Sequence, residues 1–311
     1  MTHEQNTEIG DQASVRYSMP MMKHNRKMVI ISVSVSVIVI GILAAAYASL
    51  SPTASSTKDR GLIFNDDFNG DTLDSKKWVT CYDNYSNKYG GCTNYGNWEN
   101  EWYTASQVKV DGGTLILTAN RHETQGDNSY GTEQSYPYVS GMISSGNLNK
   151  TSPAKWGATY GYFEARVFIP SGKAIWPAFW LLPTDASWPP EIDVMEVLGD
   201  KPNRLLNTYF WKDAQGAAAK DSGTYTAASS LSEGWHTYGV DWQKGKLAWY
   251  LDGKLVRNIR SKNVPSQPMH LLLNLAVGGT LPGYPDKTTP DSVQMLVDYV
   301  RAYRTIEDAQ R

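Results

Sequence analysis

Short β-prone runs recur along most of the chain, and no long stretch carries the three-to-four spacing of an amphipathic helix. The runs fall at Val108–Val110, Thr114–Ala119, Gly161–Ile169, Trp176–Leu182, Glu191–Val197, Leu205–Trp211, Trp235–Trp242, Lys246–Tyr250, His270–Ala276 and Gln294–Tyr303. Between them stand Asp111-Gly112-Gly113, Pro170-Ser171-Gly172, Asp252-Gly253 and Gly278-Gly279, which suit turns and hairpins. Trp249–Leu255 reads as a hairpin around Asp252-Gly253. No internal repeat or linker interrupts the pattern. It predicts one all-β domain over residues 62–305: two packed antiparallel sheets, a β-sandwich or jelly roll. A concave sheet face in such a fold makes a groove for an extended ligand.

The N-terminal pattern is different. No charge interrupts Met28 to Leu50, a span above the roughly 20 residues a membrane helix needs. Lys23, His24, Arg26 and Lys27 precede it, which predicts that residues 1–27 form a cytoplasmic basic leader. Ala46-Tyr47-Ala48 resembles a signal-peptidase site. Residues 28–50 therefore read as a transmembrane signal-anchor or as a cleaved signal peptide. Both readings put the rest of the chain outside the cytoplasm, anchored at the cell membrane or secreted. Residues 51–61 are rich in Ser and Thr and read as a flexible linker.

The two cysteines fit an extracytoplasmic compartment. Cys81 and Cys92 close a small loop, and outside the cell such a pair is expected to form a disulfide. A net charge of -2 argues against a nucleic-acid partner, which calls for a basic patch. The five histidines are scattered, with no zinc spacing and no Gly-rich phosphate loop, so no cofactor is expected for catalysis. Aromatic content is weighted to Trp (11) and Tyr (19) over Phe (6), rings that suit wet binding faces as well as cores. The expected state is a monomer.

The chemistry concentrates in Glu191-Ile192-Asp193-Val194-Met195-Glu196. Three carboxylates sit in an otherwise apolar strand, where unpaired acids cost stability. Two carboxylates facing one cleft are what glycosidic bond cleavage needs. Strand alternation puts Glu191 and Asp193 on one face and Glu196 on the other. A one-residue β-bulge at Val194-Met195 would return Glu196 to the shared face, and the reading requires it. The carboxyl groups must also approach to roughly 5–5.5 Å for retention of configuration. Asp193, between them, would help set the two Glu pKa values apart. Trp176, Trp180 and Trp188 lie just upstream and are candidates to stack on sugar faces, although Phe179 and Trp180 point to opposite sides of their strand.

Beyond the hexapeptide, the chain resembles glycoside hydrolase family 16, the laminarinase and lichenase group. The resemblance rests on Phe64-Asn65-Asp66-Asp67-Phe68-Asn69-Gly70, Ser140-Gly141-Met142-Ile143 and Tyr160-Gly161-Tyr162-Phe163-Glu164-Ala165-Arg166. It continues through Trp176-Pro177-Ala178-Phe179-Trp180-Leu181-Leu182-Pro183, Trp235-His236-Thr237-Tyr238 and Val297-Asp298-Tyr299-Val300-Arg301. It implies a jelly roll with a long groove and retaining double displacement. Glu191 would be the nucleophile, Glu196 the general acid/base and Asp193 the electrostatic helper, with Trp176 beside the reactive sugar. It also implies a structural calcium ion on the convex side, with Asp67 and Asp298 at the matching positions.

Three departures bear on substrate. Pro189-Pro190 stands where the family often has Gly before the first catalytic Glu. Phe210-Trp211 stands where a His often precedes the Trp. Asn97-Trp98-Glu99-Asn100-Glu101-Trp102-Tyr103 follows the family's Asn-Glu pattern only loosely. Glu99, Glu101, Trp102 and Trp211 are kept as candidate glycan contacts. The expected activity is endo-cleavage of β-glucan with β-1,3 or mixed β-1,3/1,4 linkages. The alternatives are a cell-wall transglycosylase, a hydrolase of another glycan such as a β-galactan, and a non-catalytic glycan-binding module.

Overall fold

A computed structural model describes residues 60–82, 88–128, 131–147 and 153–305. The leader, the 28–50 span and nearly all of the 51–61 linker lie outside the described residues. No helix among the described residues is long and apolar enough to cross a membrane.

The described chain is a sequence of strands. They are β1 (Leu62–Asp66), β2 (Gly91–Cys92), β3 (Glu101–Thr104), β4 (Val108–Asp111), β5 (Thr114–Asp127), β6 (Glu133–Ser140), β7 (Met142–Ser144), β8 (Gly161–Phe168) and β9 (Ile175–Pro183). There follow β10 (Glu191–Val197), β11 (Arg204–Lys212), β12 (Ala218–Thr226), β13 (His236–Gln243), β14 (Lys246–Leu251), β15 (Lys254–Arg260), β16 (Met269–Val277) and β17 (Ser292–Tyr303). They form two sheets. One runs β15-β14-β13-β8-β17-β5-β6-β3-β2, with β1 on β17 and β4 on β5; the other runs β12-β11-β10-β9-β16-β7. Pairing is antiparallel except for β3 with β6.

The core lies between the sheets. Ile192, Val194, Met195 and Val197 of β10 meet Phe163, Trp242 and Trp249 of the larger sheet in one apolar cluster. Each such side chain contributes roughly 1.5–3 kcal/mol by leaving water. The Asp252-Gly253 turn closes the β14–β15 hairpin with φ of 51° and 74°, the left-handed pair that a two-residue hairpin demands.

Two details correct the sequence reading at its edges. The linker does not extend to residue 61. Arg60 is buried, its guanidinium 3.0 Å from Asp241 and stacked over Tyr162, so the folded part begins by Arg60. Strand β12 has no counterpart among the predicted runs. Its alternation is real, but its first six residues, AAKDSG, lack the branched and aromatic residues that mark a strand.

Candidate active site

Strand β10 supplies the acids, and its register explains how. Against β11, Glu191 pairs with Phe210 and Asp193 with Thr208, but Glu196 pairs with Leu206, so the register slips between Asp193 and Glu196. Against β9 the slip falls between Asp193 and Met195. This is the bulge the sequence required at Val194-Met195. It turns both Val194 and Met195 into the core and leaves Glu191, Asp193 and Glu196 on the opposite face. The carbonyls around the bulge are capped by side chains: Asn207 Nδ2 donates to Val194 O at 2.7 Å, and Trp249 Nε1 to Asp193 O at 2.9 Å.

Rows of side chains cross the smaller sheet above these acids. One row is Lys220, Phe210 and Glu191. The next is Ser222, Thr208, Asp193, Trp180, Leu272 and Ser144. The third is Thr224, Leu206, Glu196, Ala178, Asn274 and Met142. The face bounds a groove of about 1030 Å³, also lined by Tyr82, Glu99, Trp176, Trp188 and His270.

Burial drives the electrostatics. It pushes Glu196 up to about 8, with the Glu191 charge adding to the effect. Asp193 is pushed well up by burial and then by the charges of Glu191 and Glu196. Burial also raises Glu191, but the Trp188 indole N–H and Asp193 oppose the rise. The Trp188 bond to Glu191 Oε2 is 2.7 Å. The arrangement favours protons on Asp193 and Glu196, while the bonds from Trp188 and Asp193 restrain the rise at Glu191. The Trp176 indole N–H makes no bond of standard geometry, yet lies near enough to Glu196 to favour its anion slightly.

The groove wall beside the acids is a polar chain. Trp180 Nε1 donates to Asn274 Oδ1 at 2.8 Å, Asn274 Nδ2 to Tyr103 Oη at 2.9 Å, and Tyr103 Oη to Glu99 Oε2 at 3.1 Å. Glu99 and Glu101 are both raised by burial, Glu101 the more because Glu99 stands beside it. Three atoms of groove-lining side chains, Tyr82 Oη, Trp176 Nε1 and His270 Nδ1, are buried with no protein partner at standard geometry. Burial lowers His270 to about 4, so its ring is neutral.

The structure brings together Glu191, Asp193, Glu196, Trp176, Trp180, Trp188 and Glu99 around the groove. Glu101, Trp102 and Trp211 lie elsewhere. Glu101 is fully buried and accepts the Val277 N–H at 2.7 Å. Trp102 is buried against Tyr136 and so close to Gly126 that a Cβ there would stand 2.5 Å from its ring. Trp211 stacks on Tyr209, since strand alternation gives the groove to Phe210 instead. Asp67 accepts from Asn65 at 2.7 Å and Arg301 at 2.7 Å, and Asp298 accepts from Arg166 at 2.7 Å. With a guanidinium on each, these two carboxylates do not make a calcium cradle. Among the described residues no group of three or more acids, His or Cys could hold a metal ion.

Cys81 and Cys92 are disulfide-bonded. Lys220, Phe210, Tyr82 and Asn274 are groove residues that sequence reasoning missed as site residues. For Phe210 the signal existed: it shares strand parity with Thr208 and faces the position of Glu191.

A two-sheet sandwich with a bulged three-acid strand on the floor of a groove defines a class of polysaccharide-directed folds. The comparisons agree, and the chain belongs to the family described as Glycosyl hydrolases family 16, which it matches over residues 94–301. It is 34% identical over 229 residues to "Endo-1,3-1,4-beta-glycanase ExsH" of Rhizobium meliloti (strain 1021), covering 71% of this chain and 46% of that protein. It is 32% identical over 270 residues to "Beta-glucanase" of Rhodothermus marinus, covering 79% of this chain and 86% of that one. Among solved structures, the laminarinase catalytic domain from Thermotoga maritima MSB8 superposes with a TM-score of 0.66 at 30% identity, over 79% of this chain and 98% of that one. The chain spans about half the length of the first curated relatives it matches, 46% and 52%.

Proposed function

We propose that the chain is an endo-acting, retaining glycoside hydrolase that cleaves β-glucan at β-1,3 or mixed β-1,3/1,4 linkages. The observation that carries this is the bulged β10: one strand presents Glu191, whose rise is restrained by hydrogen bonds, and a proton-holding Glu196 to the same groove. The names of the relatives point to β-glucan, and an open groove accepts a chain at internal bonds.

In the first step a Glu191 carboxylate oxygen attacks the anomeric carbon. The glycosidic C–O bond breaks, and Glu196 gives its proton to the departing oxygen, leaving a glycosyl ester on Glu191. Glu196, now a carboxylate, takes a proton from water; the water oxygen bonds to the anomeric carbon and Glu191 is released. Asp193 holds a proton beside Glu191 and steadies its charge. Tyr82, Trp176 and His270 line the groove in which the sugar chain would lie. A disulfide at Cys81–Cys92 is in keeping with action outside the cytoplasm, where the 28–50 segment would deliver or anchor the domain.

The test is product analysis on laminarin, mixed-linkage β-glucan and a β-galactan, with NMR of the first-formed anomer. Oligosaccharides of retained β configuration from the glucans are expected. Inverted products would overturn the mechanism, and activity confined to the galactan would overturn the substrate.

A further inference from the structure

Glu191 faces an electrostatic difficulty that its own strand relieves only in part, through Asp193. Burial favours the neutral acid, and Glu99 across the groove adds negative charge. Asp193, Glu196 and Tyr82 also face it from β10 and the groove wall. Yet a nucleophile must be ionised and must hold one oxygen toward the substrate.

Asp193 opposes the rise through its hydrogen bond, and the other opposing groups come from outside β10. Trp188 Nε1 donates to Glu191 Oε2 at 2.7 Å. The Trp188 ring, about half exposed, rests on Phe210, with centroids 5.8 Å apart. The Lys220 ammonium lies 5.7 Å from the Phe210 ring centre, and its charge favours the Glu191 anion. Register fixes the stack, since Phe210 pairs with Glu191 on one side and with Lys220 on the other. Pro189 and Pro190 join Trp188 to Glu191, and each proline has a fixed φ, which limits how far the indole can drift. An indole N–H occupying Oε2 leaves Oε1 as the oxygen free to attack.

We propose that Trp188, seated on Phe210, is a positioning residue for the nucleophile: its N–H fixes one oxygen of Glu191 and favours the charged carboxylate. This rests on the reading of Glu191 as the nucleophile. It goes further by giving Trp188 a role distinct from a stacking platform for sugar.

Trp188→Phe keeps the ring and removes the donor, so the two roles separate. The acid limb of the kcat/KM profile should move up by about one pH unit, the scale of one hydrogen bond to a charged group. At a pH below the new limb, kcat should fall about tenfold with KM little changed. Trp188→Phe that raises KM alone, with the acid limb in place, would overturn the proposal and leave Trp188 as a platform. A second readout needs no substrate: the Glu191 carboxyl followed by ¹³C NMR, assigned by its loss in Glu191→Gln. Its titration midpoint should rise in Trp188→Phe, and an unmoved midpoint overturns the proposal whatever glycan the enzyme cleaves. Failure of every β-glucan to react would instead count against the proposed function and leave the NMR result standing.

Discussion

Asn207 donates its side-chain amide to the Val194 carbonyl at 2.7 Å, across the two strands that frame the acids. Val194 sits where the β10 ladder slips, so its carbonyl is not taken by a regular strand partner. Buried carbonyls need partners, and here a side chain supplies one. Glu196 reaches the groove only because that slip persists. Asn207→Leu should therefore cost about 1–3 kcal/mol, the cost of an unsatisfied buried polar group. It should also lower kcat more than KM, because the acid is misaimed rather than the sugar released. Thermal unfolding and steady-state kinetics below the new melting point check this; unchanged kcat in the folded variant would mean the bulge holds without the amide.

The pH profile follows from the different roles proposed for Glu191 and Glu196, both raised by burial. On the proposed mechanism, turnover needs Glu191 ionised and Glu196 protonated. Activity should fall on the acid side as Glu191 takes up a proton, at a pH above the ordinary Glu value because burial raises it. It should fall on the alkaline side near 8, as Glu196 loses its proton. A kcat/KM profile that is flat through 8 would contradict Glu196 as the acid.

The same shift makes a stability prediction with a definite sign. Between the ordinary Glu value of 4.5 and about 8, folded Glu196 keeps a proton that the unfolded chain has released. Stability then declines as pH rises across that window, because the unfolded state binds fewer protons. Glu196→Gln removes the titration. Its melting point should exceed that of the natural protein at pH 8 and match it more closely at pH 5, while kcat on polymer falls by about 10²–10⁴. An aryl glycoside with a good leaving group should recover much of the first step, which separates loss of the acid from misfolding.

The sandwich and the acid strand were legible because their signals are local. Bulky alternation marks β9, β10 and β16, and the charge pattern of β10 makes sense only with a bulge. The groove walls were harder to read. Lys220 lies on an edge strand of small and polar residues that looks like a loop by propensity. Glu99 and Glu101 are two apart, but only the fold sends one into the groove and the other against the Val277 amide. Trp102 and Trp211 have the composition of sugar platforms; tertiary packing, against Tyr136 in one case and Tyr209 in the other, claims them for the interior.

That division of the tryptophans can be measured. Trp180 borders the groove and donates to Asn274, so Trp180→Phe should lower kcat/KM on glucan through a higher KM. Trp102→Ala should instead cost about 3–5 kcal/mol, as large-to-small changes in cores do. Trp211→Ala should lower the melting point with kcat/KM preserved in the folded protein. A raised KM for Trp211→Ala, without loss of stability, would return that ring to the list of glycan contacts.

The disulfide ties the loop before β3 to the groove. Cys81 and Cys92 are 11 positions apart, and closing a loop of that size removes chain entropy from the unfolded state worth about 3 kcal/mol. The pair is also packed, in a buried cluster with Tyr103, Met142, Ala178, Trp180 and Leu272, and Tyr82 lies against this cluster. Tyr82 meets Tyr103 and Trp180 edge-on, each at 6.0 Å between centroids. Loss of the link should therefore do two things. Paired Cys81→Ala and Cys92→Ala should lower the melting point by several degrees, at roughly 2–4 °C per kcal/mol for a domain of this size. They should also raise KM, because Tyr82 and Trp180 lose the support that aims them at the groove, while kcat at saturation changes less, since β10 does not touch the pair. Reductant added to the natural protein should reproduce both effects. A melting point indifferent to reductant and to both substitutions would mean that the packed cluster, rather than the covalent link, holds this wall of the groove.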